Sequence, residues 1–292
     1  NPHTWLGFTD MVFIDPVGTG YSRALKPDGN KKFWGLKGDF ESVGEAIRLY
    51  LTRYQRWSSP LYLVGESYGT TRAAGLSDHL IDKGIPEGAV VVAENQTAGR
   101  GRLGRAWKTP PGQAIALSVA LYPSLSPTQV PLLSLATGLA VRWAVESIIG
   151  SNHDLVLKWP NDVYLNGKKL AGVLVETAAE LDQVKWAIAS IGLNVNNSFQ
   201  GTSLAETATS LATELGRKVS RRDLLVALLQ ELDIVYARVQ APDGLTAIRR
   251  DFEKYDLLQG RQVAVATPGG KVCGVAAGID GEGRLLVRGP GN

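Results

Sequence analysis

At 292 residues the chain is long enough for two domains, and 44% hydrophobic with 20% charged residues is the composition of a globular protein that buries a core. A formal net charge of +3 gives no bulk reason to invoke nucleic acid or a membrane, although local basic clusters can still bind anions. The single cysteine, Cys273, excludes an intrachain disulfide and fits a reducing compartment, so a cytoplasmic location is expected. No apolar run is expected to reach the roughly 20 residues that span a bilayer. The start, Asn1-Pro-His-Thr-Trp5, has no initiator Met and no signal-like segment, and reads as the interior of a longer chain.

In chain order, Asp10 to Asp15 reads as a short apolar strand followed by a glycine turn, residues 16 to 20. Asp39 to Trp57 has helical spacing, with Val43, Ile47, Tyr50, Leu51 and Tyr54 on one face. Leu61 to Val64 is a brief strand running into Gly65-Glu-Ser-Tyr-Gly69, and a helix is expected from Thr71 to Lys83, ended by Gly84 and Pro86. This alternation is the rhythm of a parallel α/β sheet. A second unit begins near Pro86. Strands are expected at Val90 to Ala93, Ala114 to Leu121, Leu155 to Trp159 and Val184 to Asn194. Val163 to Leu165 and Leu170 to Glu176 should form a hairpin around Asn166-Gly167. Helices are expected at Pro131 to Ile149, Ser220 to Val239 and Gly244 to Tyr255. From Leu258 the chain turns to short β-runs, residues 262–267, 272–279 and 285–287, as for a small β-barrel.

Two basic, glycine-spaced signals dominate: Gly99-Arg-Gly-Arg-Leu-Gly-Arg-Ala-Trp107 and Lys158-Trp-Pro-Asn-Asp162, followed by Lys169-Leu-Ala-Gly172. Glycines 99, 101 and 104 let backbone N–H groups approach an anion, while Arg100, Arg102 and Arg105 add fixed charge. That combination suits a site holding two anions against each other, such as a carboxylate and a nucleoside triphosphate. One charge pair at 4 Å is worth about 4 kcal/mol at an effective dielectric near 20, so two or three cations can decide such a barrier. The plainer alternatives are a solvated basic hairpin at 99–107, a turn cap at Asp162 and a surface lysine at Lys169. Asp162 could instead hold Mg²⁺ or orient a basic partner.

Taken in order, the segments from Glu94 to Trp107, Lys158 to Asp162, Lys168 to Glu176 and Ile191 to Asn196 closely resemble biotin protein ligases. The resemblance runs from about Pro86 to the end. It implies that biotin and ATP form biotinyl-5′-adenylate, which a lysine of a biotin carboxyl carrier protein or domain then attacks. It further implies biotin contacts at Gln96, Arg100, Gly101, Arg102 and Lys169. Nucleotide and metal contacts would fall to Arg102, Arg105, Lys158, Asn161, Asp162 and Asn194, with Mg²⁺ at Asp162. Lys169, with Arg102 and Lys158, is the expected catalytic set. The tail resembles the family's SH3-like C-terminal domain, stopping before its last strands. No helix-turn-helix precedes the catalytic part, so no DNA partner is expected; a homodimer stays open. The Ser-Thr-Asn tripeptide that normally opens the catalytic domain is absent, with Thr70-Thr71-Arg72 as the alternative for that wall.

Residues 1 to about 85 carry a different signal. Gly65-Glu-Ser67-Tyr-Gly69 between a strand and a helix fits a nucleophile elbow, with the Tyr68 N–H as an oxyanion donor. Together with the stretch from Phe13 to Ser22, it resembles serine carboxypeptidases of the α/β-hydrolase fold. Of the three histidines, His3, His79 and His153, none stands in a motif that would supply the base, and without one the serine is a poor nucleophile. The expected architecture is therefore α/β and α+β: a partial α/β-hydrolase-like fragment (1–85), a biotin/lipoate-ligase-like mixed sheet with helices (86–257), and a small SH3-like β-barrel (258–292). The alternatives are a hydrolase using Ser67 or an inactive fusion. Limited proteolysis is expected to remove the residues before about 85.

Overall fold

The computed structural model describes residues 12–17, 19, 21–25, 29–33, 36–56, 62–65, 87–94, 96, 99–107, 110–180, 182–267 and 269–289. Ser67, Tyr68, the expected 71–83 helix, Thr70 to Arg72, His3 and His79 lie outside them. Helix α1 spans Leu36–Arg53, followed by strands β1 (Tyr62–Gly65), β2 (Val90–Ala93) and β3 (Ala114–Leu121). Helix α2 (Val130–Ile149) leads to β4 (Leu155–Lys158), β5 (Asp162–Leu165), β6 (Lys168–Glu180) and β7 (Gln183–Asn194). Helices α3 (Leu211–Leu215), α4 (Arg221–Gln240) and α5 (Gly244–Lys254) precede β8 (Gln262–Thr267), β9 (Gly270–Ile279) and β10 (Leu285–Arg288).

The first seven strands form one sheet in the order β1-β2-β3-β7-β6-β5-β4. Only β1 and β2 run parallel; every other pair is antiparallel. The parallel rhythm expected of the first segment thus extends to one strand pair. Residues 12–16 form no strand, and Val12 and Phe13 are exposed: among the described residues no strand pairs with this apolar run, and Asp10 and Met11 lie outside them. Helix α1 ends at Arg53, short of the expected Trp57. Tyr54 lies in the turn beyond, stacked on Tyr50 at 4.7 Å and 57% exposed, not on the buried face.

One sheet face carries Ile115, Leu117, Val119, Ile191, Leu193, Ala171 and Val173, which pack with α2, α4 and α5 in the main core. Ser126 and Gln129 cap the entry to α2, Pro131 stands in its first turn, and Gly150 ends it at φ 79°. By length and hydropathy α2 with its lead-in, Pro127–Ile149, could cross a membrane, unlike the sequence expectation. Its burial identifies it as the central core helix, because sheet, α4 and α5 surround it. Asn166 and Gly167, at φ 50° and 80°, form the expected β5–β6 turn. The C-terminal strands make a three-stranded antiparallel sheet, β10-β9-β8.

On the opposite face, α1 lays Val43, Ile47 and Leu51 against Ala89, Ala120 and Ile188, with Tyr122 and Trp186 at the margin. A segment preceding β2 therefore covers one end of that face. Replacing Ile47, 5% exposed, by Ala should lower unfolding free energy by about 2–4 kcal/mol. Urea unfolding measures it; an unchanged midpoint would mean α1 contributes nothing to the sheet.

Candidate functional site

Strand register brings the charged motifs together. Lys158 pairs with Asp162, Asp162 with Gly172, Gly172 with Gly192, Gly192 with Ala116 and Ala116 with Ala93. One cross-strand row therefore runs from two charged residues onto a floor of glycine and alanine. Glycine leaves room for the side chains that lie over this floor, and the neighbouring row, Ser118 and Ser190, is also small, its hydroxyls 2.8 Å apart.

Alternation alone would place Lys169 on the helix-packed face with Ala171 and Val173. A bulge prevents this. Val163 pairs with Ala171 but Tyr164 with Lys169, leaving Leu170 as the extra residue, and Lys169 turns to the face of Gly172. Its backbone is gripped on the other side, donating to Thr207 O and accepting from Thr209 N, both at 2.9 Å. The ammonium reaches Asp162 Oδ1 at 2.6 Å and lies 5.6 Å from the Trp107 ring centroid. A Cβ at position 172 would stand 3.2 Å from Lys169 Nζ, so Gly172 makes room for the pair.

Lys158 donates to Tyr164 Oη at 3.2 Å and sits over that ring. The Trp159–Pro160 peptide is cis. Asn161 is committed to structure: its amide Nδ2 and its carbonyl bond Val173 O and N, fastening the turn to β6. Asn194 is 2% exposed, and its Oδ1 accepts from Asn197 Nδ2 at 3.2 Å. Asn161 thus braces backbone, while Asn194 is buried against a neighbouring side chain.

The basic loop folds back on itself. Arg100 bridges Ala106, Gly101 N donates to Arg105 O at 2.7 Å, and Trp107 N donates to Gly99 O at 2.8 Å. Its tip turns through Leu103 and Gly104 at φ 58° and 71°. Arg100, Arg102 and Arg105 are exposed, and among the described residues none makes an ion pair. Gln96 lies partly buried at the loop's start, close to Gly99. The loop reaches the row through Trp107, whose indole lies on Gly192 so closely that a Cβ there would overlap it. Trp107 Nε1 is buried without a hydrogen-bond partner.

Three features were not anticipated from sequence. Arg221, in the first turn of α4, holds both Glu94 oxygens at 2.9 and 3.0 Å and Ala114 O at 3.0 Å, clasping the two stems of the loop. Tyr164 holds Lys158, and Trp107 covers the glycine floor. Glu94 and Arg221 stand 127 residues apart, so no local pattern links them. A cavity on the helix-packed side, between Val119, Leu121, Leu133 and Tyr236, contains no Lys or Arg and lies away from this row. Its margin is tied by Tyr236, which donates to Glu87; burial first, then that carboxylate, raises the phenol's pKa.

The fold is that of the biotin/lipoate ligase class. The Biotin/lipoate A/B protein ligase family model matches residues 65–196, and the Biotin protein ligase C terminal domain model matches residues 259–292. The chain is 39% identical to the biotin--[acetyl-CoA-carboxylase] ligase of Mycobacterium tuberculosis, over 69% of this chain and 73% of that protein. Identity to the Paracoccus denitrificans ligase of the same name is 32%, over 71% and 87%. The chain belongs to the biotin protein ligase family. It also matches the bifunctional ligase/repressor BirA of Bacillus spizizenii at 38% identity over 71% of this chain, spanning 64% of that protein's length. Among solved structures, the biotin protein ligase from Aquifex aeolicus in complex with biotin and ATP superimposes with a TM-score of 0.64 at 28% identity, covering 78% of this chain and 91% of that one. Residues 1–87 match the Serine carboxypeptidase family model, overlapping the ligase match at 65–87. An α/β-hydrolase sheet is not seen among the described residues.

Replacing Gly192 by Ala should lift Trp107 from its seat. Cleavage by trypsin after Arg100, Arg102 and Arg105 should then accelerate about tenfold, the equivalent of the 1–3 kcal/mol that overpacking costs. Unchanged cleavage, followed by mass spectrometry, would show that the indole does not anchor the loop.

Proposed function

We propose that this chain is an ATP-dependent biotin–protein ligase, and the observation that carries the reading is the Lys169–Asp162 pair at the edge of the glycine floor. In the first step a biotin carboxylate oxygen attacks the α-phosphorus of ATP, and the bond to the β-phosphate oxygen breaks to release pyrophosphate. Both reactants are anionic, so their approach is repulsive until cations neutralise it. Lys169, whose backbone N–H and C=O are both held, by Thr207 and Thr209, is the group best placed to do so. Asp162 keeps its ammonium aimed along the row, and Lys158 adds charge from the adjoining strand. In the second step a lysine amine of a biotin carboxyl carrier protein attacks the acyl carbon, AMP leaves, and the ammonium proton is lost.

Gln96, Arg100, Gly101 and Arg102 belong to the biotin side in this reading, and Arg102 with Arg105 to the nucleotide. Asn161 acts through the backbone it braces, and Asn194 belongs to the nucleotide side. Asp162 is the carboxylate that would meet a nucleotide-borne Mg²⁺, and it is already paired with Lys169; among the described residues no cluster of three His, Cys, Asp or Glu side chains offers a protein-only site. No step is assigned to a metal. The division at 85/86 and 257/258 and a cytoplasmic setting are parts of the same reading. The carboxypeptidase match favours a second reading, hydrolysis through Ser67. Covalent labelling of Ser67 by an active-site phosphonate would support it, and an unlabelled Ser67 would remove it.

Biotin-dependent ATP–pyrophosphate exchange tests the leading reading. The purified chain should catalyse it, and Lys169→Ala should lower it by about 100-fold or more, as loss of a preorganised charge stabiliser does. A folded chain without exchange, or a variant as fast as the parent, would reject the assignment.

A further inference from the structure

Among the described residues the C-terminal sheet reaches the Lys158–Asp162 turn through one hydrogen bond, from Trp159 to Gly283. The β9–β10 turn is locked by Asp280. Its Oδ1 accepts from the amides of Glu282 and Arg284 at 2.9 Å, and its Oδ2 from Arg284 Nε at 2.7 Å. Backbone bonds from Asp280 N to Arg284 O at 2.9 Å and from Gly283 N to Asp280 O at 3.1 Å close it. Burial alone would raise the Asp280 pKa, but the bonds from Arg284 and the two amides outweigh it and the pKa is lowered. At the tip, Gly283 has φ 76°, and a Cβ there would stand 3.1 Å from Leu132 N and 3.2 Å from Leu132 Cγ. The turn is therefore pressed against the first turn of α2. From that seat the Gly283 carbonyl accepts the Trp159 Nε1–H at 2.9 Å.

We propose that the β9–β10 turn positions the Lys158–Asp162 turn, with Trp159 as the positioning residue that transmits its placement. Only residues 159–161 connect the paired Lys158 and Asp162. Asn161 is fastened to Val173 at one end of this connection. The indole fastens the other end, on a different sheet and 124 residues away in sequence. With both ends held, the two charged residues of the cross-strand row keep their spacing before any ligand arrives. A ligand that uses Lys158 then meets a preformed group. The functional half of this inference rests on the ligase reading; the mechanical half does not.

Hydrogen–deuterium exchange of the whole chain tests the mechanical half, with Trp159→Phe, which keeps an aromatic ring but loses the donor, and Asp280→Ala, which unlocks the turn from the other sheet. Amides at 159–165 should exchange about fivefold faster in both variants, the effect of one lost hydrogen bond, while amides of α4 keep their rates. Unchanged exchange at 159–165, or acceleration shared equally by α4, would overturn the proposal. In the pyrophosphate exchange assay both variants should raise the KM for ATP about fivefold and leave that for biotin in place. An equal rise in both constants would likewise overturn it. Absence of exchange activity in the parent chain would count against the ligase reading alone, and the deuterium rates would still decide whether the contact positions the turn.

Discussion

Because Asp162 pairs with Gly172 and Gly172 with Gly192, strand register sets both the charged end and the glycine floor of the site. A backbone ladder is a firmer reference than a loop, since each hydrogen bond in it is supported by neighbours on either side. A slip of one residue would turn every side chain of a strand to the other face. Here it would exchange Gly192 for Ile191 or Leu193, and the floor would close. The packed face prevents such a slip: Ile191, Leu193 and Val173 sit in the core against α2.

The bulge at Leu170 reconciles two demands on β6. Leu170 and Ala171 both belong to the main core, which plain alternation does not allow on one face, and Lys169 is needed on the opposite face. One extra residue satisfies both. The basic loop is then organised from outside the row. Arg221 clasps its stems, while Trp107 docks its far side on Gly192. Exposed arginines at the tip are left available to an anion, and their chain ends are held on rigid elements.

Much of this was legible in the sequence. Long apolar periodicity gave α2, the Asn166-Gly167 pair gave the hairpin, and glycine-spaced cations marked the segments that register assembles. Short signals were misread where local pattern lacked a tertiary partner. Val12 to Ile14 had β-forming residues but no neighbouring strand among the described residues, and Tyr54 had helical spacing just beyond the helix end. The Leu170 bulge, the Glu94–Arg221 clasp and the Trp159–Gly283 bond join residues whose proximity exists only after the sheets have formed. Family resemblance supplied the expected roles of the motif residues. It did not supply α1, which comes from the segment with the other resemblance and still covers part of the sheet.

The row also has a length. From Asp162 on β5 to Ala116 on β3 it crosses β6 and β7, three inter-strand steps of about 4.8 Å, or roughly 14 Å. A dimension built from whole strands changes only in whole strands. Substitutions along the row can roughen or smooth its surface, but they cannot stretch it. Any lineage that needed a longer or shorter floor would have to gain or lose a strand.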